Sequence, residues 1–341
     1  MKEENFIILS GTGHYELADK TIQWINNSAG SDFKFSHINF DSYPDGEDDF
    51  RIPKPEKIKD KNVIIFQSCN TLKLKEEFLT LVFACKKQYQ AKKVIAVMPF
   101  MMYRRQERQE KFLEINRNLQ FVTEMKAVGV DEILLCDIHS ETALTYFKEA
   151  GITVHNTSGA KIFAELLEPV LDKEENVVIY SPDKGSIVRA INLAKLLHLP
   201  VLFNLKERSA EGTVEQKELE ESVLQSLREE FDYPVRPAEN LDGQVVIMVE
   251  DEIATGSTAK MTAKKLKERG AKKLIFCATH PVCTSGWKRT FVEDSPFDKI
   301  ILGNTVDRGY KKSTGGKVTN ASMHPVLAIK LLSVIRECEK E

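Results

Sequence analysis

The sequence has 341 residues, enough for two domains of ordinary size, each with its own core. A net charge of −3 with 29% charged residues and no long basic block argues against nucleic acid as the main partner and makes any cationic site local. No stretch approaches the roughly 18 apolar residues that span a bilayer, the first ten residues carry Glu3 and Glu4, and six cysteines show no CxxC pair, so the expectation is a cytoplasmic protein with buried, reduced thiols and no membrane contact.

Residues 6–9 form an apolar strand that meets Ser10-Gly11-Thr12-Gly13-His14 and a helical pattern over 15–24, a first β–loop–α unit. His14 either touches a ligand or is an incidental turn residue. Residues 35–40 alternate as a strand and lead to Ser42-Tyr43-Pro44-Asp45-Gly46-Glu47, where Pro-Asp-Gly dictates a turn; by themselves Asp45 and Glu47 read as turn acids. A strand over 62–67, a long amphipathic helix over 74–90 and a strand over 94–99 follow. That last strand runs into Arg104-Arg105-Gln106-Glu107-Arg108. Three arginines in five residues beyond a strand end suit polyphosphate, whose oxygens match the guanidinium fork; the rival reading is a surface charge run. A helix over 116–128 and a strand over 132–135 lead to Asp137 and His139. The two fit either a shared metal or a hydrogen-bonded pair bracing the loop.

Around 151–157 the alternation pauses and then restarts, which marks a boundary between two similar halves. A helix over 161–171, a strand over 177–180, the turn Ser181-Pro182-Asp183-Lys184-Gly185, a helix over 187–197 and a strand over 201–204 follow. Asp183 stands at a strand end, with Gly185 permitting close backbone approach. Lys206 and Arg208 open a long stretch over 209–242 in which 217–230 reads as a helix ended by Pro234 and Pro237. Long connections commonly serve as lids, so Lys206 and Arg208 are candidates for stabilising a transferring phosphoryl group, against a reading as solvated charges. Strands over 273–278 and 300–302 and a closing helix over 325–339 complete the chain. Apolar strands alternating with helices imply βαβ units and parallel sheets.

The most informative stretch is 245–258, Val-Val-Ile-Met-Val-Glu-Asp-Glu-Ile-Ala-Thr-Gly-Ser-Thr. Five apolar residues read as a strand buried on both faces, with Glu250 and Asp251 at its end and a short loop running into a helix over 259–269. The loop offers backbone N–H groups and the hydroxyls of Thr255, Ser257 and Thr258 at the positive end of a helix, a seat for phosphate. Carboxylates beside a phosphate repel it unless they hold sugar hydroxyls or a bridging Mg²⁺, so the pattern points to a phosphorylated sugar.

Taken together, these stretches resemble, in order from Leu9 to about Val306, the ribose-phosphate pyrophosphokinases, which transfer diphosphate from ATP to ribose 5-phosphate to give phosphoribosyl diphosphate and AMP. Ser-Gly-Thr-Gly-His-Tyr-Glu-Leu is similar to the family's opening. Tyr-Pro-Asp-Gly-Glu resembles an element that contacts the adenine of a neighbouring subunit, which implies ATP-binding roles for Asp45 and Glu47 and a homodimer or larger homo-oligomer with a shared ATP site. Met-Pro-Phe-Met-Met-Tyr-Arg-Arg-Gln-Glu-Arg resembles the segment that places Arg105 and Gln106 on the nucleotide. Asp-Ile-His-Ser and Ser-Pro-Asp-Lys-Gly resemble motifs that would put His139 on ATP phosphates and Mg²⁺ and Asp183 on the metal. Lys206 and Arg208 fall where the family has its catalytic Lys-x-Arg. The stretch over 245–258 is similar to the phosphoribosyl-binding loop, with Glu250 and Asp251 on the ribose hydroxyls and Thr255, Gly256, Ser257 and Thr258 on the 5-phosphate. Here Glu250, Ala254 and Ser257 replace the usual first Asp, third Asp and second Gly.

The resemblance implies an α/β protein of two tandem phosphoribosyltransferase-like (Rossmann-like) domains, each a mainly parallel sheet flanked by helices. Residues 1–154, joined by the helix over 325–339, would form the ATP side and 155–324 the ribose 5-phosphate side. Two rival readings are a phosphoribosyltransferase, which has the same loop without the Arg105/Gln106 segment and the Lys206/Arg208 pair, and a silent regulatory subunit.

Overall fold

The computed structural model describes residues 2–38, 40–107, 114–138, 141–183, 185–204, 214–308, 314 and 316–340. They form two compact units, the first from Met1–Gly159, Asn304–Asp307 and Ser322–Glu341, the second from Ala160–Gly303 and Arg308–Ala321.

The first unit contains β1 (Phe6–Ser10), α1 (Tyr15–Ala29), β2 (Phe35–His37), β3 (Phe40–Ser42), β4 (Asp48–Phe50), β5 (Asn62–Phe66), α2 (Leu72–Phe83), β6 (Lys93–Met98), α3 (Arg117–Val128), β7 (Glu132–Cys136), α4 (Glu141–Glu149) and β8 (Thr153–Thr157). Six strands make one parallel sheet in the order β2-β1-β5-β6-β7-β8. Val63, Ile64 and Ile65 of β5 and Val94, Ile95, Ala96, Val97 and Met98 of β6 are fully buried, as central parallel strands covered on both faces must be. The helices start and stop where side chains allow. Thr71 caps α2 by accepting from the Leu74 N–H at 3.2 Å and Asn116 caps α3 by accepting from Leu119 at 2.8 Å, while Gly129, with φ 109°, ends α3 in a conformation that favours glycine.

Four local expectations change here. The strand expected over 35–40 is two strands. β2 stays on the sheet, and β3 folds back antiparallel on β4 in a separate hairpin, because the Pro44-Asp45-Gly46 turn returns the chain and lets Phe40 pack on Phe50 with ring centroids 4.7 Å apart. The long helix over 74–90 starts two residues earlier and gives way to a π-helical turn at Ala84–Gln88. The pause at 151–157 contains β8, an edge strand whose His155 and Asn156 hide its period; pairing with β7 and a 2.7 Å contact between His155 Nε2 and Glu132 Oε2 account for it. Helix α4 was not foreseen.

The second unit contains α5 (Ala160–Leu171), β9 (Val177–Ser181), α6 (Ile187–Leu197), β10 (Val201–Phe203), α7 (Val214–Phe231), β11 (Val235–Pro237), β12 (Val245–Ile253), α8 (Ser257–Glu268), β13 (Lys273–Pro281), β14 (Lys299–Gly303) and β15 (Val318–Ala321). Its seven strands are parallel in the order β11-β10-β9-β12-β13-β14-β15. Pro237, expected only to end a helix, lies in β11 at the sheet edge, where a residue without an N–H is tolerated. Phe276, Phe291 and Phe297 pack on one another in the core, with centroids 4.8 to 5.3 Å apart. The last helix, α9 (His324–Cys338), belongs to the first unit and packs on α1 and β8.

No helix among the described residues is long and apolar enough to cross a membrane. All six cysteines are buried and free, and burial pushes the Cys85 and Cys283 thiols up to about 12.

Candidate active site

In the second sheet the chain leaves β9 toward β10 on one side and returns to β12 on the other, so strand order reverses between β9 and β12. In open α/β sheets ligands bind outside the carboxyl ends of strands at such a reversal. Two segments that the sequence singled out end there. After β9, Asp183 accepts through Oδ1 from the Ser186 N–H at 2.9 Å and from the Ser186 hydroxyl at 3.1 Å, so this exposed carboxylate braces the entry to α6. Ser181 Oγ donates to the Asp183 carbonyl at 2.9 Å.

After β12 comes the loop of Ala254, Thr255 and Gly256. The strand is longer than the five apolar residues suggested. Glu250, Asp251 and Glu252 lie within it, because β13 also extends past Ala278 and pairs Glu252 with His280 and Ile253 with Pro281. Alternation then places Asp251 inward, 3% exposed, and leaves Glu250 and Glu252 half-buried. Ile253, inward again, joins the core with Trp287 and Phe291.

Gly256 is the N-cap of α8. With φ 77° it sits where an L side chain is strained, and a Cβ there would lie 2.5 Å from Phe291 Cδ2. No side chain caps α8 at this residue. The exposed hydroxyls of Thr255 and Ser257 contact each other at 2.9 Å, and Thr258 is exposed beside them. The Ser257 N–H reaches Thr255 Oγ1 at 3.3 Å, so the first turn of α8 gathers backbone N–H groups and three hydroxyls at the positive end of a helix, chemistry that suits an anion.

In the first sheet the order reverses between β1 and β5. Here Gln67, beyond β5, accepts from the Gly13 N–H at 2.9 Å and donates to the Leu74 carbonyl at 3.0 Å and to Glu77 at 3.3 Å. Thr12 also hydrogen-bonds to Glu77, a carboxylate only 2% exposed. A Cβ at Gly13 would stand 2.5 Å from the Ser68 carbonyl oxygen. The Gly-Thr-Gly loop is therefore clamped to the end of the next strand. Beyond β6, buried Arg104 donates to the Asp137 carbonyl at 2.7 Å, and Asp137 Oδ2 accepts from the Gly159 N–H at 2.9 Å. Arg104 thus spends its guanidinium partly on the fold, whereas Arg105 and Gln106 are exposed.

Comparison with known proteins gives this arrangement a context. Residues 6–127 match the N-terminal domain of ribose phosphate pyrophosphokinase and residues 154–300 match the phosphoribosyl transferase domain. The ribose-phosphate pyrophosphokinase of Shewanella oneidensis is 31% identical over 299 residues, 86% of each chain. The chain belongs to the ribose-phosphate pyrophosphokinase family. The member from Ralstonia nicotianae is 28% identical over 340 residues, 98% of this chain and 97% of that one. The crystal structure of phosphoribosylpyrophosphate synthetase from Mycobacterium smegmatis shares the fold, with a TM-score of 0.77 at 22% identity over 98% of this chain and 99% of that one.

Against the family's motifs, Asp45 and Glu47 lie in the exposed turn of the β3–β4 hairpin, where the Asp45 carboxylate accepts from the Glu47 N–H at 3.1 Å. Glu250, Asp251 and the 255–258 loop share the end of β12 and the start of α8, beside the Asp183 turn. His139, Lys206 and Arg208 lie outside the described residues. Three residues that the sequence reading passed over support these loops. Gln67 and Glu77 hold the Gly-Thr-Gly loop of the first unit, and Arg189 reaches from the Gly185 carbonyl toward Asp251 in the second. A glutamine after an apolar strand and charges on amphipathic helices carry no local signal of such duty.

Proposed function

We propose that this chain is a ribose-phosphate diphosphokinase, transferring diphosphate from ATP to the 1-hydroxyl of ribose 5-phosphate. The observation that carries this reading is the succession of both family domains in one chain along nearly the whole length of its relatives, with β12 delivering acids and an anion seat to the sheet reversal. The 1-hydroxyl oxygen attacks the β-phosphorus and loses its proton, a new oxygen–phosphorus bond forms, and the α,β-bridging bond breaks with its oxygen leaving on AMP. Positioning and charge supply the catalysis in such a transfer, since the protein has little covalent work to do.

The residues divide by what they can hold. Thr255, Gly256, Ser257 and Thr258 take the 5-phosphate at the start of α8, and Glu250 and Asp251 take the 2- and 3-hydroxyls. Arg105, Gln106 and His139 take the nucleotide, with Asp45 and Glu47 of a neighbouring copy at the adenine, which makes the working unit a homodimer or a larger homo-oligomer. Lys206 and Arg208 act on charge developing at the β-phosphate.

Among the described residues no three His, Cys, Asp or Glu side chains cluster as a metal cage. Mg²⁺ keeps several waters and binds through one or two carboxylates plus substrate phosphates, which one exposed carboxylate at a strand end can serve. In this reading exposed Asp183 and His139 would hold it, and the ion would neutralise charge on the transferring phosphates. Cytoplasmic ATP and a soluble sugar phosphate are the substrates in this reading. Incubation with ATP, Mg²⁺ and ribose 5-phosphate tests it: AMP and phosphoribosyl diphosphate should appear in equal amounts, and their absence would refute it.

A further inference from the structure

Arg189, in the first turn of α6, touches both ligand segments of the second unit. Its Nη2 donates to the Gly185 carbonyl at 2.8 Å and lies 4.0 Å from Asp251 Oδ1. The two side chains are 11% and 4% exposed, and Arg189 Nε is buried with no hydrogen-bond partner. A guanidinium stays charged at any working pH, and a buried N–H without a partner carries a desolvation cost. Its fork matches a carboxylate with two parallel N–H···O bonds, yet here one arm is on a carbonyl and the acid stands at the outer limit of an ion pair. Asp251 Oδ1 also accepts from the Glu252 N–H at 2.8 Å, so the same oxygen is held from two sides. β9 and β12, which carry the two segments, are the strands between which the sheet order reverses.

We propose that Arg189 is the positioning residue that ties the Asp183 turn to Asp251 and fixes the Asp251 carboxylate for the pentose hydroxyls. It draws into a closer pair with Asp251 when the sugar phosphate occupies the loop. The proposal rests on the reading that Asp251 binds ribose 5-phosphate. It assigns Arg189 no contact with the reacting atoms, so its loss acts on sugar affinity and not on the transfer step.

The test compares wild type, R189Q and R189K in the ATP/ribose 5-phosphate assay, with thermal unfolding measured on the same preparations and ribose 5-phosphate binding measured by calorimetry. R189Q should raise the ribose 5-phosphate KM about 10- to 100-fold, by analogy with metal ligands that lose the outer partner orienting them. kcat and the ATP KM should stay within about threefold of wild type, the signature of lost binding. R189K keeps the charge but not the fork and should fall between the two. In a D251N background R189Q should add no further loss, because residues acting as one unit are not additive. An R189Q with unchanged ribose 5-phosphate affinity overturns the proposal, as does a fall in kcat alone or an additive effect in D251N. Should R189Q fail to fold, an R189K with wild-type affinity overturns it. If wild type makes no AMP, the functional reading fails, and the calorimetric comparison of wild type with R189Q still decides this proposal; a wild type that does not bind ribose 5-phosphate overturns both.

Discussion

Replacing Gly256 with alanine asks two things at once of the loop that leads into α8. The added methyl must accept φ 77°, which costs an L residue about 1–2 kcal/mol. It also lands 2.5, 2.6 and 2.7 Å from Cδ2, Cγ and Cβ of Phe291. Carbon atoms prefer about 3.5–4.0 Å, so either the ring or the loop must move by about 1 Å. Phe291 is fully buried against Phe276 and Phe297, and overpacking such a site costs about 1–3 kcal/mol. Together the change should destabilise by about 2–5 kcal/mol, or roughly 4–20 °C in Tm at about 2–4 °C per kcal/mol for a unit of this size. If the loop yields instead of the ring, less stability is lost and ribose 5-phosphate affinity falls, because the N–H groups at the start of α8 turn away from the anion seat. Thermal unfolding and calorimetric titration, run on the same variant, separate the two routes. Adding Phe291→Leu should restore part of the loss, with a coupling of about 0.5–3 kcal/mol. A variant with wild-type Tm and wild-type affinity would refute the account of why glycine stands here.

Other measurements reach other parts of the molecule. Lys206→Ala should lower turnover about a hundredfold or more while leaving ribose 5-phosphate binding nearly intact, and an unchanged kcat removes Lys206 from catalysis. The hydrogen bond from His155, with help from Lys93, holds the Glu132 carboxylate below its usual 4.5 despite burial, so its contribution to stability is complete above that pH and is lost as pH falls through the lower folded value. Tm differences between wild type and E132Q should therefore narrow on acidification below pH 4.5; a constant gap contradicts the assignment. Burial raises the thiols of Cys69, Cys85, Cys136, Cys277 and Cys283, and Cys338 is buried as well, so a thiol reagent at pH 8 should find almost none in the native protein and all six after unfolding. Two or more fast-reacting thiols would count against this packing.

Much of the architecture was written in short windows of sequence. Val-Ile-Ile-Phe in β5, Val-Val-Ile-Met-Val in β12 and the helical stripes between such runs identify parallel α/β units, because a strand buried on both faces must be continuously apolar wherever it pairs. The acids, hydroxyls and glycine over 250–258 are likewise local, and a phosphate seat at a helix start needs nothing beyond one loop. Where the sequence fell short, the deciding partner was distant in the chain. β8 is polar and reads as a pause until β7 supplies its hydrogen bonds. β12 continues through Glu250 and Asp251 only because β13 extends beside it, and the resulting alternation turns Asp251 inward. Gly256 looks like any turn glycine until Phe291 is seen against it, and Arg189 looks like a surface charge until the reversal of strand order brings it to Asp251. Local pattern fixes which segments can pair or bind. Which of them meet depends on the free energy of burying their faces together, and that is set only in the folded chain.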